Sequence, residues 1–563
     1  MTQARTFKVP SRLLLAALLA GLASAKCTFF GRAATDYADT NLSVVQLLPN
    51  ATKPLASCCA ACSAWNAAAP RKASRTCSIG VLLHGTVCAL KPSANRPFPS
   101  SSATAVQPSS APAPGPNPGM ANLDLIVLPE PLAERYGAKC LDGSPPALYM
   151  KAANTTADPS AANKWVLFFK GGGWCYDETA CYKRSKGIMG SSLQLNATQP
   201  KFGYGGGGPV GADPRENPSF AHFNRVIVWY CDGGSFTGDL TEPIVINGSK
   251  VWFRGRRNRD AVLGYLREEH GLGAATDVLV SGGSAGGLSA YIHADYIRST
   301  LLPVNTSTPS DTTPFLASTS FSASTTRLNT AARNATLKFR AAPVSGFFLN
   351  HRTMTGEAKH EADMRYVFNM MNSSGGVNRA CAAAYSPVGE EWRCIFANES
   401  WSYSATPTFP INSAIDAYQL SDILEFNGSR YCAGLNVGVP VVPGPQMSNC
   451  STQELAVVAR YEKDFLHDLQ SSPAFSRAGS GGFIESCVEH CLGMAAGWCA
   501  VSDPHSGVTI QQAVSAWWDA PEGDPAAGHW HLPCAIRNAS PGQCNPSCSE
   551  TPHRLEMRNG LQR

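Results

Sequence analysis

Asp277-Val278-Leu279-Val280-Ser281-Gly282-Gly283-Ser284-Ala285-Gly286 is the segment that decides the fold. Its first five residues form a short, β-rich apolar run, and a helical pattern follows from Gly286 to Thr300, so Ser284 falls on the turn between a strand and a helix. A sharp turn at that place lifts the serine above a sheet. Gly282 and Gly286 stand two residues to either side, where a side chain would collide with neighbouring backbone or block a group carried on the serine oxygen. The string Gly-x-Ser-x-Gly also occurs in ordinary Gly-rich turns. The strand before it and the helix after it are what point to a nucleophilic serine.

Further out, residues 165–169, 225–230, 346–349 and 406–411 read as strands and residues 260–270 as a second helix. Short apolar strands alternating with helices predict an α/β domain of the α/β-hydrolase type, with a largely parallel sheet flanked by helices. Such sheets bind ligands at the carboxyl ends of their strands, where the Gly-rich segments of this chain fall. Residues 304–340, rich in Ser and Thr, read as a surface insertion and a lid candidate.

Upstream of this domain the composition changes twice. Arg5, Lys8 and Arg12 precede an apolar run from Leu13 to Leu22 and then Ala23-Ser24-Ala25, the pattern of a secretory signal peptide over residues 1–25. Residues 26–91 hold Cys27, Cys58, Cys59, Cys62, Cys77 and Cys88, an even set that reads as a small disulfide-rich module. Residues 92–120 are dominated by Pro, Ser and Ala and form a semi-rigid linker. Residues 121–550 make the α/β domain, and residues 551–563 a polar tail.

Over its 563 residues the chain is 44% apolar and 15% charged, which suits a globular protein of more than one module. Its net charge of +5 is spread without a basic run, so nucleic acid is not an expected partner. No stretch after the signal peptide is apolar for the roughly 20 residues that a membrane span needs, and the polar Arg558-Asn559-Gly560-Leu561-Gln562-Arg563 is unlike a lipid-anchor signal. The 20 cysteines and twelve Asn-x-Ser/Thr sequons, among them Asn41, Asn154, Asn196, Asn334 and Asn427, suit a disulfide-bonded glycoprotein that is secreted to the extracellular space or the cell wall.

A serine hydroxyl needs a general base, and the base needs an acid to orient it. In α/β-hydrolases these follow in the order serine, acid, histidine. Asp416, in Ile411-Asn412-Ser413-Ala414-Ile415-Asp416, comes just after a late strand and fits the acid; it fits a helix N-cap equally well. His84, His222, His270, His293, His351 and His360 precede Asp416, which leaves His467, His490, His505, His529, His531 and His553. His490 is the expected base, because the flanking Cys487 and Cys491 would pin its loop, and misplacement by about 1 Å can cost a hundredfold in rate. His529-Trp530-His531 offers half a metal site without a third ligand at the right spacing and reads as surface. The chemistry calls for no cofactor and no metal.

Lys170-Gly171-Gly172-Gly173-Trp174-Cys175 closes the strand at residues 165–169, where hydrolases place the loop whose N–H groups face an oxyanion. The expected donors are the N–H groups of Gly173 and Trp174, completed by that of Ala285. A phosphate-binding loop would need Lys-Ser or Lys-Thr after the glycines, and Trp174 would crowd a phosphate.

Across residues 124–550 the chain resembles the pectin acetylesterase and Notum family. The resemblance rests on Cys140-Leu141-Asp142-Gly143-Ser144-Pro145-Pro146, Gly171 to Cys175, Asn224-Arg225-Val226, Tyr230-Cys231-Asp232-Gly233, Ser235-Phe236-Thr237-Gly238-Asp239 and Phe253-Arg254-Gly255, and further on Ser284-Ala285-Gly286-Gly287, Asn412-Ser413-Ala414 with Asp416, and Cys544-Asn545-Pro546-Ser547-Cys548. It implies a triad of Ser284, Asp416 and His490, oxyanion donors Gly173, Trp174 and Ala285, and bridges Cys140–Cys231 and Cys175–Cys181. Plant members usually carry a cysteine where this chain has Gly283, and the insertion at residues 304–340 is not typical of them. Residues 26–91, through Cys58-Cys59-Ala60-Ala61-Cys62 and Cys88-Ala89-Leu90-Lys91, resemble PAN/apple-like modules, which implies a carbohydrate or protein ligand; a spacer without ligand is the competing reading.

The expected substrate is thus an O-acetyl ester on pectin or a related wall polysaccharide. Two alternatives stay open at this level: Notum-like deacylation of a fatty-acylated protein, which needs a deep apolar pocket, and a non-catalytic carbohydrate-binding glycoprotein.

Overall fold

The computed structural model describes residues 27–29, 43–47, 77–81, 87–92, 123–195, 207–302, 337–426, 447, 450–494, 497–521, 530–533 and 547–548. The expected signal peptide, the linker beyond Pro92, residues 304–336 of the insertion, the tail, and His529, His553 and Cys544 lie outside them. The chain forms two compact units, Met1–Gly115 and Pro116–Arg563. In the first, β1 (Cys27–Phe29), β2 (Ser43–Leu47), β3 (Cys77–Val81) and β4 (Val87–Pro92) make an antiparallel sheet in the order β1-β2-β4-β3.

The second unit contains β5 (Asp124–Val127), β6 (Ala147–Lys151), β7 (Lys164–Phe169), β8 (Asn224–Val228), a separate hairpin of β9 (Ile244–Ile246) and β10 (Ser249–Val251), β11 (Asp277–Gly283), β12 (Lys338–Val344), β13 (Ile411–Ser413), β14 (Gly482–Glu485) and β15 (Trp530–His531). Apart from the hairpin these make a nine-stranded sheet in the order β15-β14-β13-β12-β11-β7-β8-β6-β5. Every neighbouring pair from β15 to β8 is parallel, and β6 and β5 add antiparallel to that edge.

Strand β7 reads Lys-Trp-Val-Leu-Phe-Phe without alternation, because both faces of the sheet are covered. Trp165, Leu167 and Phe169 enter a core shared with α2 (Gly255–Glu269) and α3 (Ala285–Leu301), whereas Val166 and Phe168 enter a second core shared with Trp517 and Trp518 of α6 (Ile510–Asp519). Between them in sequence lie α4 (Lys359–Met370) and α5 (Thr452–Ser471), and ahead of them the short α1 (Glu178–Arg184). Small residues open α3, so it lies close against the strands.

Two expected strands and one boundary are corrected. Gly346-Phe347-Phe348-Leu349 is no strand; the strand is β12, immediately before it. The run is apolar because its side chains are buried, while its backbone is satisfied by side chains: Phe347 N–H donates to Asn412 Oδ1 (3.1 Å) and Leu349 N–H to Gln419 Oε1 (3.0 Å). Residues 338–340, expected at the end of the surface insertion, instead begin β12 in the middle of the sheet. Buried Arg340 is tolerated there because its guanidinium donates to the carbonyls of Trp517 and, at 2.8 Å, Ala520 at the end of α6. The strand expected at residues 406–411 begins only at Ile411, since Pro407 and Pro410 bring no N–H to a ladder.

The bridges Cys140–Cys231 and Cys175–Cys181 are present, with Cys381–Cys394 and Cys487–Cys548. Closing the 91-residue separation of Cys140–Cys231 removes about 4–5 kcal/mol of unfolded-chain entropy. The six-residue Cys175–Cys181 ring removes about 2 kcal/mol, so its main effect is on local shape.

Candidate active site

Ser284 sits at the end of β11 and begins α3 with φ 58° and ψ −128°, a left-handed conformation that costs a non-glycine residue on the order of 1–3 kcal/mol. Its N–H donates to Val344 O of β12 at 3.0 Å, which helps to hold the turn. The glycines around it are required by contact. A Cβ on Gly282 would lie 2.2 Å from Gly286 O, and one on Gly286 would lie 2.0 Å from Phe169 O. Ser284 itself is partly exposed, while Ala285 beneath it is buried.

Asp416 lies just beyond β13 and is fully buried. Its two carboxylate oxygens make different contacts. Its Oδ1 accepts the N–H groups of Tyr418 (3.0 Å) and Gln419 (3.1 Å) as a cap, and its Oδ2 accepts a hydrogen bond from Nδ1–H of His490 at 2.8 Å. With Nδ1 donating to a carboxylate, the neutral imidazole has its lone pair on Nε2. That Nε2 is buried and has no hydrogen-bond partner among the described residues. Burial is the largest single influence on His490 and works to lower its pKa, but the charge and hydrogen bond of Asp416 together with Cys491 outweigh it, and the net displacement is well above the ordinary imidazole value.

The loop bearing His490 is pinned differently from the sequence expectation. Cys487 is bridged to Cys548, whereas Cys491 is a buried free thiol. Its N–H donates to Ser345 Oγ at 2.9 Å, and Ser345 directly follows the Val344 that holds Ser284. The carboxyl of Glu485, pushed well up by burial, accepts the N–H of Cys487 and braces the start of the same loop.

The Gly-rich loop after β7 lies against the elbow: a Cβ on Gly171 would be 2.0 Å from Gly283 O, 2.9 Å from Ser284 Cβ and 3.0 Å from Ala285 N. Gly173 adopts φ 63°, and Trp174 is buried with its Nε1 donating to Ser235 Oγ at 2.8 Å. Trp174, Phe348 and Tyr418 form an aromatic wall running to His490, with Phe348 edge-on to Trp174 at 5.0 Å and Tyr418 5.4 Å from the imidazole. The Tyr418 hydroxyl meets that of Tyr176 at 3.0 Å. Sequence reasoning missed this wall. Its one legible sign was the place of Tyr418 two residues after Asp416.

His531 lies partly exposed on the edge strand β15, stacked on Phe483 at 5.3 Å and bonded through Nδ1 to Asp503 at 3.0 Å. Among the described residues the grouping closest to a metal-ligand set is Glu485, Cys487 and Cys548, but the two sulfurs are joined to each other and offer no thiolate. No described helix is long and apolar enough to cross a membrane.

A protein-family model described as Pectinacetylesterase matches residues 121–330 and 328–548. The chain is 28% identical over 417 residues to pectin acetylesterase 11 of Arabidopsis thaliana, covering 73% of this chain and 89% of that one. It is 29% identical over 391 residues to pectin acetylesterase 7 of the same plant, covering 68% and 84%. Among solved structures, the Wnt deacylase Notum from Drosophila superposes with a TM-score of 0.54 at 21% identity, covering 76% of this chain and 99% of that one. This last likeness is one of fold, a mostly parallel sheet with flanking helices.

Proposed function

Because the chain belongs to the pectinacetylesterase family, we propose that it removes O-acetyl groups from pectin or a related wall polysaccharide, with Ser284, His490 and Asp416 as its triad. It is a serine-type carboxylic ester hydrolase. The observation that carries the triad is the 2.8 Å bond from His490 to buried Asp416, which leaves Nε2 unpartnered on the loop tied through Ser345 to the Ser284 elbow.

In this mechanism His490 Nε2 takes the Ser284 proton as Oγ attacks the acetyl carbon. The N–H groups of Gly173, Trp174 and Ala285 receive the oxyanion. The imidazolium, steadied by Asp416, then gives the proton to the sugar oxygen as its bond to the acetyl carbon breaks, and the sugar leaves with a free hydroxyl. Water repeats the cycle on the acetyl-serine and releases acetate. The cysteine bridges and the plant relatives support a secreted protein acting at the cell wall.

Acyl length tests the substrate class. In a deep pocket each added methylene would gain about 0.8 kcal/mol by burial, whereas in a shallow one it gains nothing and clashes. The expected result is that kcat/KM falls from p-nitrophenyl acetate through butyrate to octanoate, and that acetate is released from acetylated pectin. A rise towards octanoate would replace the acetyl reading by one of long-chain deacylation and leave the triad untouched.

The family match begins at residue 121, beyond the four-stranded N-terminal sheet. A chain starting at Gly119 is therefore expected to fold and to hydrolyse p-nitrophenyl acetate with kcat/KM within about twofold of the full chain, since a Pro- and Ser-rich linker transmits few contacts. Insolubility, or loss of turnover on this soluble ester, would show that residues 26–91 belong to the catalytic unit. If those residues bind carbohydrate or protein, as proposed from their cysteines, the loss appears on polymeric substrate alone.

A further inference from the structure

The geometry points to Arg184 and Tyr230 as positioning residues that aim the amides of the Gly-rich loop, an assignment that rests on the reading of Gly173 and Trp174 as oxyanion donors. The described peptide bonds include no cis unit, and in a trans unit the C=O and the N–H point in opposite directions. Whatever holds a carbonyl at the back of a unit therefore sets where the N–H at its front points.

Arg184 Nη1 donates to Gly172 O at 2.8 Å, and the same peptide unit carries the N–H of Gly173. Tyr230 Oη donates to Gly173 O at 2.9 Å, and that unit carries the N–H of Trp174. Each of the two expected donors on this loop thus has a side chain anchoring the carbonyl behind it. The anchors are needed, because Gly173 has φ 63° and nothing lies within 4 Å of where its Cβ would be, so packing does not fix its peptide planes.

The anchors are themselves held. Tyr230 is fully buried, and its hydroxyl accepts the N–H of Ser235 at 3.1 Å. An amide only donates and a carbonyl only accepts, so the single hydroxyl proton belongs to Gly173 O. Arg184 closes α1, the helix that Cys175–Cys181 ties to the loop, and its guanidinium lies 5.0 Å over the Tyr230 ring. A cation on Gly172 O also polarises that unit and makes the Gly173 N–H a stronger donor.

Losing an oxyanion donor outright typically costs 10²–10³ in kcat; losing its aim should cost part of that. Tyr230→Phe removes one oxygen and keeps the ring. It is expected to lower kcat on p-nitrophenyl acetate about ten- to a hundredfold with KM within about twofold and the midpoint of the pH profile unmoved. Affinity for a boronic acid, which forms a tetrahedral adduct on the serine, should fall by the same factor. Arg184→Met should behave alike, and Arg184→Lys should recover part of the loss. If Tyr230→Phe fails to fold, the Arg184 pair decides alone. Folded variants with kcat within about threefold of the parent, or a loss of kcat without a matching loss of boronate affinity, would overturn the assignment while Ser284→Ala stays inactive. Full activity in Ser284→Ala would overturn the serine reading itself, and the assignment with it.

Discussion

Ser284→Ala is expected to lower kcat for acetyl-ester hydrolysis by a thousandfold or more while leaving Tm almost unchanged. A thousandfold is about 4 kcal/mol of transition-state stabilisation, the least that loss of a triad member typically costs when only oxyanion stabilisation and binding remain. The folded state loses much less. Ser284 is partly exposed, its backbone bond to Val344 is kept, and alanine retains the Cβ beside Gly171. Substitutions of that kind usually stay within about 0.5 kcal/mol. Steady-state turnover of p-nitrophenyl acetate and a calorimetric Tm measure the two effects separately. Activity within tenfold of the parent would remove Ser284 from the mechanism. A serine-directed phosphonate should label the parent and not the variant.

Asp416→Asn should cost about 10⁴ in kcat, because an amide neither enforces the Nδ1–H tautomer nor steadies an imidazolium. The fold should survive, since asparagine caps a helical turn as well as aspartate and can still receive the N–H groups of Tyr418 and Gln419. The pH dependence gives an independent reading. His490 must be neutral to accept a proton, and its pKa is raised above the ordinary 6.5 although burial, the largest single influence, pulls it down, because the charge and hydrogen bond of Asp416 together with Cys491 outweigh burial. In the parent, kcat/KM should therefore rise with pH through a midpoint above 6.5. Removing the charge leaves burial less opposed, so the midpoint of the residual activity should move to lower pH. A midpoint that stays in place would show that the Asp416 charge does not govern His490.

The elbow was legible because everything it needs is local. A strand, a turn and a helix run in sequence through residues 277–301, and the glycines that allow the turn lie two residues from Ser284. The same holds for β7, whose unbroken apolar run reports burial on both faces. Strand β12 was hidden by its own charges. Lys338 and Arg340 read as surface, and it is the carbonyls at the end of α6, more than 170 residues away, that help to make a buried guanidinium acceptable in mid-sheet. Conversely, residues 346–349 read as strand because hydropathy reports burial and not hydrogen bonding, and the backbone bonds of Phe347 and Leu349 go to the Asn412 and Gln419 side chains.

In the candidate site the division follows the same line. Chain order and residue type were enough to single out Ser284, Asp416 and His490 as candidates, since an elbow, a late-strand acid and a later histidine are features of single segments. That Asp416 uses one oxygen to cap its turn and the other to hold His490, that Cys491 remains a thiol, and that Arg184 and Tyr230 stand behind Gly172 and Gly173 are contacts between distant segments. Local sequence determined which backbone could turn and which side chains could react. The packing of β11, β12, β13 and β14 side by side decided what each of those side chains meets, because a hydrogen bond depends on separation in space and not along the chain.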